Sequence, residues 1–140
     1  MDDKTNITTT FVVRKILFNN YVKNGSFSFK PDVSVSISKI SNDEWDTSFS
    51  VKVANKEDTP FPFDLDVVVS LITRFNGVVP EKKELLDYLR FGSTNILFPY
   101  VRSVITNVST AAMVAPLILP LADIREYAKR ISIPELEGDE

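Results

Sequence analysis

The chain has 140 residues, a formal charge of −3 and a sequence pI near 5.0, which argues against nucleic acid as its principal partner. It holds neither cysteine nor histidine, so disulfides, thiolate metal sites, cysteine nucleophiles and Ser-His-Asp triads are excluded. No apolar run approaches the ~18 residues of a membrane span, and Met1-Asp2-Asp3-Lys4-Thr5-Asn6 lacks the basic start of a signal peptide; a cytoplasmic protein without membrane insertion is expected.

Residues 1–9 read as a polar arm. Thr10 to Tyr21 is rich in Val, Ile and Phe and reads as a strand. Its alternation slips midway, because Phe11-Val13 and Ile16-Phe18 cannot share one face of a regular pleat, so a bulge is expected. Asn24-Gly25 signals a turn. From Pro31-Asp32 a second strand alternates strictly, with Val33, Val35 and Ile37 on one side and Ser34, Ser36 and Ser38 on the other. After a turn at Ser41-Asn42-Asp43, the third strand sets Trp45, Thr47, Phe49, Val51 and Val53 against Asp46, Ser48, Ser50 and Lys52.

The fourth strand alternates longest, with Phe61, Phe63, Leu65, Val67, Val69 and Leu71 at every second position. Short connections between the four strands predict an antiparallel meander with one covered face. Pro80 to Gly92 predicts a short helix, with Pro80 at its first position, Glu81 and Glu84 in the first turn and Gly92 just past its end.

A long helix is expected from Asn95 to Ala112. Pro99 is placed in its first turn, where the missing N–H costs nothing. Leu97, Tyr100, Val101, Val104, Ile105, Val108 and Ala112 follow at helical spacing and form one broad apolar stripe. Met113 to Leu121 is apolar but broken by Pro116 and Pro120, so it reads as a loop. Pro120 opens a last helix with Leu121, Ile124, Tyr127, Ala128 and Ile131 on its apolar side, and Pro134 ends it. The fold class is thus α+β: a four-stranded antiparallel sheet with a long helix and a shorter C-terminal helix packed on one face. One domain spans 1–134. Residues 135–140, with Glu135, Glu137, Asp139 and Glu140, form an acidic tail expected to be disordered.

No glycine cluster could cradle phosphate and no metal-ligand spacing occurs, so no cofactor or metal and no enzymatic activity are expected. The apolar segment around Pro116 cannot satisfy its backbone in a regular helix, which favours a polypeptide partner for it.

The string Asn95-Ile96-Leu97-Phe98-Pro99-Tyr100, with Arg102 two positions on, resembles the opening of the long helix in the SecB protein-export chaperones. The order of strands, helix, proline-containing loop, second helix and acidic tail is similar over nearly the whole chain. The resemblance implies a homotetramer, a dimer of dimers, with long helices packed between two sheets. It also implies apolar grooves that hold unfolded polypeptide clients without ATP. On this basis Val35, Ile37, Met113, Leu117, Leu119, Ile124 and Tyr127 are expected to line the client groove. Ile96, Phe98, Tyr100, Val101, Val104, Ile105 and Val108 are expected to form the oligomer interface.

The family carries acids for the export motor SecA near the end of the first strand. Here Asn19-Asn20-Tyr21-Val22-Lys23-Asn24 has none, so weak or absent SecA binding is expected. The alternatives are a dedicated SecB-like chaperone for the antitoxin of a toxin–antitoxin system and, in another class, a small ligand-binding or enzymatic α+β domain.

Overall fold

The computed structural model describes residues 5–21, 30–57, 61–112 and 127–137. Four strands form one antiparallel sheet: β1 (Thr5–Asn20), β2 (Asp32–Ser41), β3 (Glu44–Val53) and β4 (Phe63–Gly77). Their spatial order is β1-β4-β3-β2. The expected meander therefore holds for β2, β3 and β4, while β1 crosses over to the far side of β4. Length explains the choice. β1 has 16 residues, and β4, with 15, can satisfy it nearly end to end, whereas the 10 residues of β2 would leave much of its backbone unpaired.

The expected bulge lies between Val13 and Lys15. Val13 pairs with Val69 and Lys15 with Val68, so Arg14 is extra. That one residue corrects the phase. Phe11 and Val13 before it, and Ile16 and Phe18 after it, all share the face of Leu71, Val69, Val67 and Leu65 on β4. β4 runs past the expected Leu71 through Thr73 and Phe75 to Gly77, whose φ of 100° is one that glycine adopts without strain.

Helices cover this inner face. α1 (Lys82–Asp87) passes into a π-helical segment (Tyr88–Ser93) and on into α2 (Thr94–Ala111) without a break. The stop expected at Gly92 does not occur. Gly92 instead makes room, since a Cβ there would stand 2.9 Å from Cδ2 of Tyr88. The Ser93 hydroxyl donates to the Leu89 carbonyl one turn back, competing for an acceptor that a regular α turn gives to the backbone. Because the helix does not restart at Asn95, Pro99 lies inside α2 and not in a first turn. Asn95 and Pro99 are both exposed, so water can reach the carbonyl that the proline leaves unbonded.

Two apolar clusters result. Phe49, Val51, Leu65, Val67, Val69 and Leu71 pack under Leu97, Phe98, Val101 and Ile105 of α2. Ile37, Trp45 and Phe75 pack with Leu85, Leu89, Ala128, Ile131 and Ile133. Where the clusters meet along each element, the buried residues are Thr47, Thr73, Ser93 and Thr94. Thr47 Oγ1 and Ser93 Oγ lie 2.9 Å apart, tying β3 to the π-helical turn.

At the C-terminus, the helical residues of the expected last helix stop at Ala128 among the described residues, so Pro134 does not end it but opens a helical turn of its own, Pro134–Glu137. Leu136 donates its N–H to the Ile133 carbonyl at 2.9 Å and packs on the second cluster. The start of the expected tail is therefore an ordered turn, because Leu136 is an apolar anchor among acids. The turn at Asn24-Gly25 and the loop from Met113 lie outside the described residues.

Candidate binding surfaces

Three surfaces follow from this arrangement. The first is a cleft of about 170 Å³ beside β2, lined by Val35, Tyr127, Arg130, Ile131 and Ser132. Strict alternation in β2 turns Val35 inward, and the segment after Tyr127 passes alongside. The Tyr127 hydroxyl donates to the Val33 carbonyl at 3.1 Å, which fixes the ring against the strand. Of the expected groove residues, Val35 and Tyr127 are thus brought together. Ile37 is only 4% exposed and belongs to the second cluster. Its burial leaves it a supporting part of the wall. Met113, Leu117, Leu119 and Ile124 lie outside the described residues.

The second surface is apolar and open. Phe11, Val13 and Ile16 of β1 are exposed on the inner face, beside Ile96 and Tyr100 of α2. The rings of Phe11 and Tyr100 lie 3.9 Å apart between centroids. Among the expected interface residues, Phe98, Val101 and Ile105 are buried in the core of the single chain, and Val104 and Val108 pack against that core. The helical stripe read from the sequence is mostly the face that α2 turns to its own sheet. Of the expected interface residues, Ile96 and Tyr100 are the ones left open. Sequence reasoning missed the β1 contribution, although the two apolar pairs flanking Arg14 carried the signal. A further open cleft of about 430 Å³ follows α2, lined by Pro99, Arg102, Ser103, Thr106 and Asn107.

The third surface is the outer sheet face, where Val12, Leu17, Val68 and Ile72 lie among polar residues and the basic residues of β1 pair with acids. Arg14 bonds Asp46 at 3.3 Å and Ser70 at 3.2 Å, and Lys15 bonds Asp66 at 2.6 Å. Ser48 and Ser70 lie 2.7 Å apart. Asp64 accepts from the Tyr21 hydroxyl and, at 2.8 Å, from the Asn55 N–H. The Tyr21 hydroxyl above all, and then the Asn55 N–H, holds the Asp64 carboxyl below its ordinary range. The same hydrogen bond pushes the Tyr21 hydroxyl up. The acid-free end of β1 thus lies beside Asp64 and Asp66 of β4, which already have partners. Among the described residues, no group of His, Cys, Asp and Glu could hold a metal ion.

The family model described as preprotein translocase subunit SecB matches residues 5–130. The chain belongs to the SecB family. Members of this family are chaperones and not enzymes. The SecB fold is visible in solved structures as well. A Mycobacterium tuberculosis SecB-like chaperone, solved with a ChAD peptide of the HigA1 antitoxin, superposes with a TM-score of 0.68 at 12% identity. That likeness covers 86% of this chain and 91% of the other. A Streptococcus agalactiae protein of unknown function gives 0.57 at 12% identity, over 84% of this chain and 98% of that one. No curated protein sequence matches. Among the described residues of this SecB-family chain, no helix is long and apolar enough to cross a membrane.

Proposed function

We propose that this SecB-family chain is an ATP-independent holdase that binds non-native polypeptide. The observation that carries the reading is the cleft beside β2. In a chaperone family, an apolar wall of Val35 and Ile131 beside a hydroxyl and a guanidinium suits a client held by burial and not by shape. Apolar burial is non-directional and contributes roughly 25 cal/mol per Å², so many sequences can be held. The open apolar surface of β1 and α2 supports assembly into a dimer of dimers. Exposed patches of this kind mark interfaces in soluble proteins.

Suppression of the aggregation of chemically reduced insulin, measured by light scattering without nucleotide, tests the reading. The purified chain is expected to suppress turbidity near equimolar ratio. Unchanged aggregation at excess chain would overturn it. The mass of the assembly should lie well above the 15.8 kDa of one chain.

A second reading, a dedicated chaperone of one antitoxin and not a general export factor, is favoured by the outer face. Asp46 and Asp66 are ion-paired by β1, so little unpaired acid is offered to a basic SecA tail. The antitoxin peptide held by the Mycobacterium tuberculosis relative is compatible with it. Titration of the chain with the SecA tail and with an antitoxin peptide would rank the two readings.

A further inference from the structure

Among the described residues no further strand pairs with either edge of the sheet, and the two edges are built differently. β1 carries the bulge at Arg14 and the charges of Arg14 and Lys15, features that discourage another strand from adding. β2 has Pro31 and Asp32 at one end, and Lys39 with a register irregularity at the other. Between them, Val33-Ser34-Val35-Ser36 has no charge, proline or bulge.

Two hydrogen bonds show which backbone groups of β2 point outward. The Phe75 N–H donates to the Asp43 carbonyl at 2.8 Å, so the odd-numbered residues of β4 and β3 face each other. The even-numbered residues of β3 therefore face β2. With Ser34 opposite Ser50 and Ser36 opposite Ser48, those serines complete the ladder. Val33 and Val35 then present N–H and C=O to the open side. The Tyr127 hydroxyl confirms the direction, since it reaches the Val33 carbonyl from that side. Ile37 has the same orientation but is 4% exposed, packed with Ile131 and Ile133, so the open stretch ends there.

We infer that the β2 edge at Val33–Val35 takes an extended segment of client polypeptide as an added strand. The inference rests on the holdase reading and supplies its binding mode. A row of outward N–H and C=O groups is complementary to another extended backbone. In antiparallel addition, the client residue opposite Val35 exchanges two hydrogen bonds with it and points its side chain the same way, over the cleft and toward Val35 and Ile131. The client residues on either side point toward Ser34 and Ser36, which demand nothing specific of them. Such an edge selects an alternating apolar pattern and tolerates any particular sequence. The Tyr127 hydroxyl occupies the acceptor that a client N–H would take.

The test uses end-capped peptides of alternating leucine and serine, with binding to the full chain read by fluorescence anisotropy. Leucines facing the cleft must direct their own N–H groups at β2, so N-methylation of every leucine should weaken binding about tenfold or more. N-methylation of every serine should leave it unchanged. Equal binding of both methylated peptides and the parent would overturn the inference and leave the holdase reading standing. A parent peptide and reduced insulin that both fail to bind would overturn both. As a second arm, Val35→Pro removes an outward N–H and no ladder bond. It should lose the parent peptide about tenfold with the mass of the assembly unchanged. A changed mass would show that this edge joins copies of the chain, and the inference would fall.

Discussion

Deleting Arg14 tests whether the bulge alone sets the faces of β1. Arg14 has no ladder partner on β4, so its removal leaves a regular ladder in which Val13 still meets Val69 and Lys15 still meets Val68. Every apolar side chain of the strand keeps its face. What is lost is one hydrogen bond to Ser70 at 3.2 Å and one ion pair with Asp46 at 3.3 Å. The hydrogen bond contributes about 0.5–1.5 kcal/mol. The ion pair contributes roughly 0–1 kcal/mol, because the arginine side chain is 46% exposed. Ser70 retains its bond with Ser48. The expected cost is about 0.5–2.5 kcal/mol, or roughly 2–10 °C in Tm. Deleting Val12 shortens the strand equally with another outcome. The ladder then regains regularity by setting Arg14 opposite Val69, a guanidinium in the row of Phe11 and Ile16, and by turning Val13 outward. That variant should lose more stability and should lose assembly. Urea unfolding followed by circular dichroism, with light scattering on both variants, decides the matter. An Arg14 deletion that unfolds the chain, or that abolishes assembly as the Val12 deletion does, would refute the reasoning.

Ile105→Ala empties a site in the first cluster and should cost about 2–5 kcal/mol in thermal unfolding. Gly92→Ala should destabilise by about 1 kcal/mol despite its gain in helix propensity, because the new Cβ meets Tyr88; in a Tyr88→Ala background the sign should reverse. Arg14→Gln with Lys15→Gln releases Asp46 and Asp66, and should raise the affinity for a basic peptide in a calorimetric titration, an effect that added salt abolishes. Asp64, held below its ordinary range, contributes stability that is present above the usual aspartate value and lost as pH falls through the depressed one. Asp64→Asn should therefore flatten the decline of urea stability below about pH 4.

Strict alternation made β2, β3 and β4 legible, because a face that is buried on one side repeats every second residue. The slip in alternation between Phe11 and Ile16 is enough to locate the bulge at Arg14. The position of β1 was not legible, since alternation states which face is apolar and not which strand lies beside it. The long helix was visible from its stripe, but its start was not. Gly92 and Pro99 are local signals of a stop and a start, and both are overridden by packing of Tyr88 and by exposure of Asn95. Within the single chain, α2 satisfies its own sheet first, and Phe98, Val101 and Ile105, expected at an oligomer interface, pack there. The Val35 and Tyr127 pairing joins residues 92 positions apart, and nothing local announces it.

The crossing of β1 to β4 has a consequence for biosynthesis. A ribosome delivers β1 first, yet its partner runs from Phe63 to Gly77, so the strand waits while more than forty further residues emerge. During that interval Phe11, Val13 and Ile16 have no ladder, and such long-range pairings are the slow step in sheet formation. Each newly made copy of this chaperone therefore begins as the kind of apolar, extended segment that a finished copy is proposed to hold.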